Sequence, residues 1–161
     1  SYHNSDKTVF IENQRFSPWL IGGVIFLIML INIVIVYATA SGLHDDNAQF
    51  EPLVMTAPII LVLAIFLLFE LRIRVTTDEI SFGFWFWRKR RIALLNIAKA
   101  EAITYSPIRD FGGWGYRIGS NGTMYNAKGN KAVKMFLKDE TVIFIGSQKP
   151  EQLLRAILTG R

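Results

Sequence analysis

The sequence contains no cysteine, and only two of its 161 residues are histidine, His3 and His44. The first absence removes disulfides, thiolate metal sites, cysteine nucleophiles and Fe–S ligation together. The second leaves nothing after residue 44 from which a histidine-based catalytic centre could be built. Charge is scarce in one place above all, since no Asp, Glu, Lys, Arg or His occurs from Pro18 through Gly42, or again from Pro52 through Phe69. A length of 161 residues also excludes several globular domains.

What remains is strongly divided. Hydrophobic residues make up 51% of the chain and charged ones 19%, and the apolar excess lies before Glu70. From Arg72 onward there are 16 Lys/Arg and 7 Asp/Glu, a net +9; before it there are 2 and 6, a net −4. A basic half of this kind calls for an anionic partner, a lipid surface or a nucleic acid.

The run Trp19–Tyr37 is long enough to cross a hydrocarbon core of roughly 30 Å, with Trp19 and Tyr37 at interfacial positions. The run from Pro52 to Phe69 meets the lower edge of the same test. Ala38-Thr39-Ala40 resembles a signal-peptide cleavage site, but the preceding apolar run exceeds the roughly 7–15 residues of a signal core. Lys7 and Arg15 precede the first run and Arg72 and Arg74 follow the second, while the link between them holds only His44, Asp45, Asp46 and Glu51. The positive-inside bias then places both termini in the cytosol. The expected organisation is a cytosolic segment (1–17), a first span (18–41), a short extracytoplasmic link (42–51), a second span (52–70) and a cytosolic β domain (71–161). Asn32, near the centre of the first span, is expected to contact another helix, in a second protomer or a partner subunit, because an unpaired amide is unfavourable in hydrocarbon.

After Glu70 the periodicity shortens to two. Strands are expected over 71–75, 80–87, 102–105, 114–118, 124–126, 133–137 and 142–145, with a turn at Thr77-Asp78 and a hairpin at Asn121-Gly122. Ser147 as N-cap, Pro150 in the first turn, and Leu153, Leu154, Ile157 and Leu158 on one face predict a closing amphipathic helix. The fold class is thus a membrane helical hairpin followed by a mainly antiparallel β domain, a barrel or sandwich capped by a C-terminal helix.

The segments Phe111-Gly112-Gly113-Trp114-Gly115-Tyr116-Arg117, Tyr125-Asn126-Ala127-Lys128-Gly129-Asn130-Lys131 and Ile145-Gly146-Ser147-Gln148-Lys149-Pro150-Glu151 resemble a family of small bacterial membrane proteins with pleckstrin-homology-like (PH-like) C-terminal domains. The resemblance covers roughly residues 52 to 158. It implies the fold and a multi-pass setting in the bacterial inner membrane, and brings no catalytic or binding residues. The loop after the first expected strand, Thr76-Thr77-Asp78-Glu79, is acidic, so the familiar phosphoinositide route is not implied.

One constellation has the composition of a membrane surface: Phe84-Trp85-Phe86-Trp87 followed by Arg88, Lys89, Arg90 and Arg91. With Arg72 and Arg74, the residues Trp85, Trp87, Arg88, Lys89, Arg90 and Arg91 are the candidate contacts with anionic headgroups. If the strand over 80–87 runs back toward the membrane, residues 86–91 return to headgroup level. Strand alternation assigns Phe84 and Phe86 to one face and Trp85 and Trp87 to the other, so one pair belongs to the core. The same mixture of cations and aromatics suits nucleic acid, but no nucleic-acid motif accompanies it. Gly113, Gly115 and Gly119 do not match the dinucleotide fingerprint. No carboxylate pair has a spacing that calls for acid/base chemistry. The expected function is a non-catalytic, membrane-anchored PH-like module without cofactor, metal or small-molecule substrate. Its partners would be anionic lipids and other membrane subunits or copies of itself, as an accessory or scaffold subunit of a larger complex or as an independent lipid-binding protein.

Overall fold

A computed structural model describes residues 7–42 and 52–160, with the side chains of 52–55 outside that description. The expected link over 43–51, and both histidines, therefore lie outside the described residues. The chain divides into two compact units, one of residues 1–15 and 70–161 and the other of residues 16–69.

The smaller unit is two apolar helices. The first, α1 (Pro18–Ala40), has 23 residues and a proline in its first turn, where a missing N–H costs no hydrogen bond. It is long and apolar enough to cross a membrane. The second, α2 (Pro52–Leu68), has 17 residues and an internal Pro58. At 1.5 Å per residue it is about 26 Å long, shorter than the expected second span, so among the described residues only α1 qualifies by length and composition. Phe16, two residues before α1, packs on Phe66 and Phe69 at the end of α2, with ring centroids 5.2 and 4.9 Å apart. The start of one helix thus meets the end of the other, as antiparallel neighbours.

The larger unit contains two sheets. The first has the order β1-β2-β3-β4, built from β1 (Phe10–Arg15), β2 (Glu70–Val75), β3 (Glu79–Phe84) and β4 (Trp87–Ala93). The second has the order β5-β8-β9-β7-β6, from β5 (Ile97–Thr104), β6 (Gly115–Gly119), β7 (Gly122–Asn126), β8 (Lys131–Leu137) and β9 (Val142–Gly146). The two sheets do not close into a barrel, and the antiparallel pattern expected of the domain is interrupted at β7 and β9, which pair in parallel. The hairpin between β6 and β7 turns on Ser120-Asn121, with Gly119 opposite Gly122, one residue earlier than expected.

Alternation drives the packing. Leu71, Ile73 and Val75 of β2, and Ile80, Phe82 and Phe84 of β3, are buried. They face the second sheet, where Tyr125 packs edge-on against Phe82 at 4.9 Å and lies nearly parallel to Phe84 at 6.2 Å. The opposite face of the second sheet is covered by the short helix α3 (Pro107–Phe111), whose Phe111 meets Phe144 at 5.0 Å. The closing helix α4 (Pro150–Thr159) buries Leu153, Ala156 and Ile157 and packs on β5 and β8 of one sheet and on β1 and β2 of the other. Leu158, expected on that face, is exposed. Ser147 is not the N-cap, a position taken by Lys149; its hydroxyl accepts from Lys149 N at 3.0 Å and donates to Glu12.

Strand β1 was not anticipated. It pairs with β2 over its whole length, from Phe10 opposite Val75 to Arg15 opposite Glu70. Its inward residues are polar: Glu12 accepts from Ser147 Oγ and from Gln148 N at 2.8 Å, and Gln14 Nε2 donates to Gly146 O at 2.7 Å. The chain before the apolar unit is therefore part of the sheet that follows it.

Candidate surface site at the end of the first sheet

The aromatic and basic segment does not form one strand. β3 stops at Phe84, the chain reverses over Trp85-Phe86, and β4 begins at Trp87 opposite Phe84. The reversal rests on a bulge between Phe82 and Phe84. There Gly83 has φ +146, and a Cβ on it would lie 2.5 Å from Lys89 Cα and 2.6 Å from Arg88 O; Arg88 itself has φ 56. Such a turn needs a residue without a side chain where the two backbones meet. The expected return of residues 86–91 is corrected accordingly: only the turn lies at this end of the sheet, and β4 carries Lys89, Arg90 and Arg91 away from it.

That end of the sheet is also where the chain leaves for α1 and comes back from α2. Arg15 closes β1, Glu70 opens β2 beside it, and Trp85 N donates to Glu70 O at 2.9 Å. Among the aromatics only Phe84 is core, at 0% exposure, while Trp85, Phe86 and Trp87 are exposed by 45, 53 and 43%. The expected pairing by alternation is thus broken by the turn, and Phe86 joins the tryptophans outside.

The cations separate by face. Arg88 stacks over both Trp87 and Tyr116, 4.8 Å from each ring centroid, and Trp87 meets Tyr116 edge-on at 5.5 Å. Cation–π contacts of this sort hold a guanidinium on an aromatic shelf while leaving its N–H groups outward. Tyr116 was not among the sequence candidates, and two residues further along β6 the side chain of Ile118 is 77% exposed. Arg90 stands opposite Phe82 and, with Arg88, lies close enough to Tyr125 to favour its phenolate; burial outweighs both and pushes that phenol up from 10.0. Lys89 and Arg91 project to the other face, toward Arg72 and Arg74 of β2.

No protein-family model, curated protein or solved structure matches this chain. The reading of the surface therefore rests on its own chemistry. Among the described residues no group of three or more His, Asp or Glu side chains is placed to hold a metal. Glu70 is bracketed by Arg15 at 3.7 Å and Arg72 at 3.4 Å, and Glu79 pairs with Arg91 at 3.8 Å. These carboxylates hold guanidinium groups, and the pairs are single contacts with exposed arginines, which contribute little to stability. What the surface offers is an apolar aromatic tip, an arginine shelf and a basic sheet face.

Asn32 lies in α1, and its Nδ2 donates to Ile28 O at 2.8 Å within the same helix. One of the two N–H donors of the amide is thus satisfied one turn back within its own helix.

Proposed function

We propose that this chain is a non-catalytic, membrane-anchored module: α1 and α2 cross the bilayer as a hairpin, and the β unit docks on the anionic cytosolic leaflet through Trp85, Phe86, Trp87 and Arg88. The observation that carries the reading is the pairing of Arg15 with Glu70 at the end of the sheet that also bears the exposed turn. A chain that leaves a sheet at Arg15 and rejoins it at Glu70 must return to the side from which it departed. If α1 spans, the intervening chain crosses twice, and α2 is the only other described apolar helix available for the return. A helix of about 26 Å spans a roughly 30 Å core with modest local thinning of the bilayer. Cleavage after α1 would sever β1 from its own sheet, which speaks against a removed signal sequence.

Only Phe16 and Ser17 separate Arg15 from α1, and only Phe69 separates α2 from Glu70. Across one and two intervening residues the backbone reaches at most about 7 and about 11 Å, so embedding the helices keeps Arg15 and Glu70 near the headgroups. There, exposed tryptophans favour the interface, and each Lys or Arg contributes on the order of 1 kcal/mol against an anionic leaflet, an effect that fades beyond a Debye length of about 8–10 Å. The PH-like resemblance of the sequence, and the bacterial inner membrane it implies, belong to the same proposal. A second reading, an accessory or scaffold subunit of a larger membrane complex, is favoured by the apolar exposure of Ile118 and Ile108, at 77 and 68%; stoichiometric co-elution of other membrane proteins after gentle solubilisation would establish it.

Single-tryptophan variants of the full chain in nanodiscs with brominated lipid test the docking. Trp85 alone should be strongly quenched. Trp114 alone, whose Nε1 donates to Gly129 O at 3.0 Å, should be quenched far less. Equal emission from Trp85 in brominated and unbrominated lipid would end the docking reading.

A further inference from the structure

The outer face of the first sheet carries a groove distinct from the aromatic turn. It has a volume of about 270 Å³, and the strand register explains its shape. Across the sheet, Arg74 of β2, Ser81 of β3 and Arg91 of β4 stand in one row. In the next row Arg72 is paired with Gly83, and the bulge brings Lys89 Cα against Gly83 on the other side. The middle strand therefore contributes a hydroxyl and a hydrogen where its neighbours contribute the longest cationic side chains in proteins. With strands about 4.8 Å apart, the two walls stand roughly 10 Å from each other at the backbone. That leaves room for one tetrahedral oxyanion above Ser81.

The charge is unbalanced there. Arg15, Arg72, Arg74, Lys89 and Arg91 share the face with two carboxylates, Glu70 and Glu79. Arg74 is steadied from the side, its Nε and one terminal nitrogen donating to Thr8 Oγ1 at 3.1 and 2.7 Å. The guanidinium retains further donors, since it carries five N–H groups in all. Ser81 Oγ has a single contact at 3.4 Å, to Arg74 O, at the weak end of hydrogen-bond distances. Fork-shaped donors on two strands and a hydroxyl below them suit a phosphate better than a carboxylate, because a phosphate presents acceptors in several directions.

We propose that this groove is a phosphate-binding site, formed by Arg72, Arg74, Lys89 and Arg91 above a floor of Ser81 and Gly83. The proposal deepens the docking reading by naming the group that the sheet holds. It rests on that reading only for a phospholipid as the source, and a soluble phosphate would enter the same groove.

The full chain in detergent, titrated with inorganic phosphate and with pyrophosphate by calorimetry, tests the soluble source. Native mass spectrometry from micelles doped with phosphatidylglycerol tests the lipid one. Two variants serve both arms: Ser81→Asp, which sets a carboxylate in the floor, and the pair Arg74→Gln with Arg91→Gln. Lys128→Gln, on a loop outside the groove, is the control. Saturable binding of phosphate or pyrophosphate, weakened at least tenfold by both variants and unchanged in the control, supports the site with a soluble ligand. Retention of phosphatidylglycerol, lost in both variants, supports it with a lipid headgroup. If neither probe binds, or if binding survives both variants, the site is refuted. Quenching of Trp85 by brominated lipid is read separately in the same variants, so loss of the groove and loss of docking are distinguishable.

Discussion

Single side chains decide how the N-terminal strand is held. Glu12 receives the Ser147 hydroxyl and the Gln148 N–H, and the carboxylate is largely enclosed. Removing it in Glu12→Ala strands two donors inside the unit, at a cost of about 1–3 kcal/mol. Thermal unfolding followed by near-UV circular dichroism should show a clear fall in midpoint, and an unchanged midpoint would mean that the contact carries no weight. Tyr105 offers a test by pH. Burial raises its phenol well above the ordinary 10.0, although the side-chain bond with Asn126 pulls the other way. The folded state therefore keeps the proton more tightly than the unfolded chain, so this contribution is complete below pH 10 and is lost as pH rises from the unfolded value through the raised folded one. Stability should decline steadily above about pH 10, and Tyr105→Phe should decline less steeply; equal slopes would remove Tyr105 as the cause. Neither residue was marked by the sequence, because a buried carboxylate and a buried phenol are recognisable only once their partners across the fold are known.

At the scale of elements, legibility followed the apolar pattern. Strands β2 and β6–β9, the last three residues of β5 and helix α4 were readable from alternation, glycine turns and a proline start. Strand β1 escaped because its pattern is inverted: Phe-Ile-Glu-Asn-Gln-Arg places Glu12 and Gln14 inward and Ile11 outward. The reversal at Trp85-Phe86 escaped for a different reason. Its residues are strong strand formers, and the glycine that permits the turn, Gly83, lies before it rather than within it. The candidate site was correspondingly half legible: its residues were named, but not their separation into a tip, an arginine shelf on Tyr116 and a sheet face. Helix α4 supplies the element-level prediction. Leu153 is fully buried, whereas Leu158 is 45% exposed. Leu153→Ala should cost about 2–5 kcal/mol, and Leu158→Ala less than about 0.5 kcal/mol, by chemical denaturation of the full chain in micelles. Comparable losses would contradict the placement of the helix.

Across the whole molecule, one topological fact dominates. The sheet is completed by a strand that precedes the apolar helices in sequence, so the chain on either side of them folds as one unit. Composition pointed to the apolar helices and the basic half; the proposal that both termini lie on one side draws on the charge bias and on the register of Arg15 with Glu70. The lack of cysteine makes the decisive measurement simple, because any introduced thiol is the only one. Asn47→Cys, Lys7→Cys and Lys138→Cys, each in the full chain, can be challenged with a membrane-impermeant maleimide in intact cells and again after permeabilisation. The hairpin predicts that Asn47→Cys is labelled in intact cells, while Lys7→Cys and Lys138→Cys react only once the membrane is opened. Labelling of Lys7→Cys and Lys138→Cys from opposite sides, or of Asn47→Cys from the same side as Lys138→Cys, would contradict it.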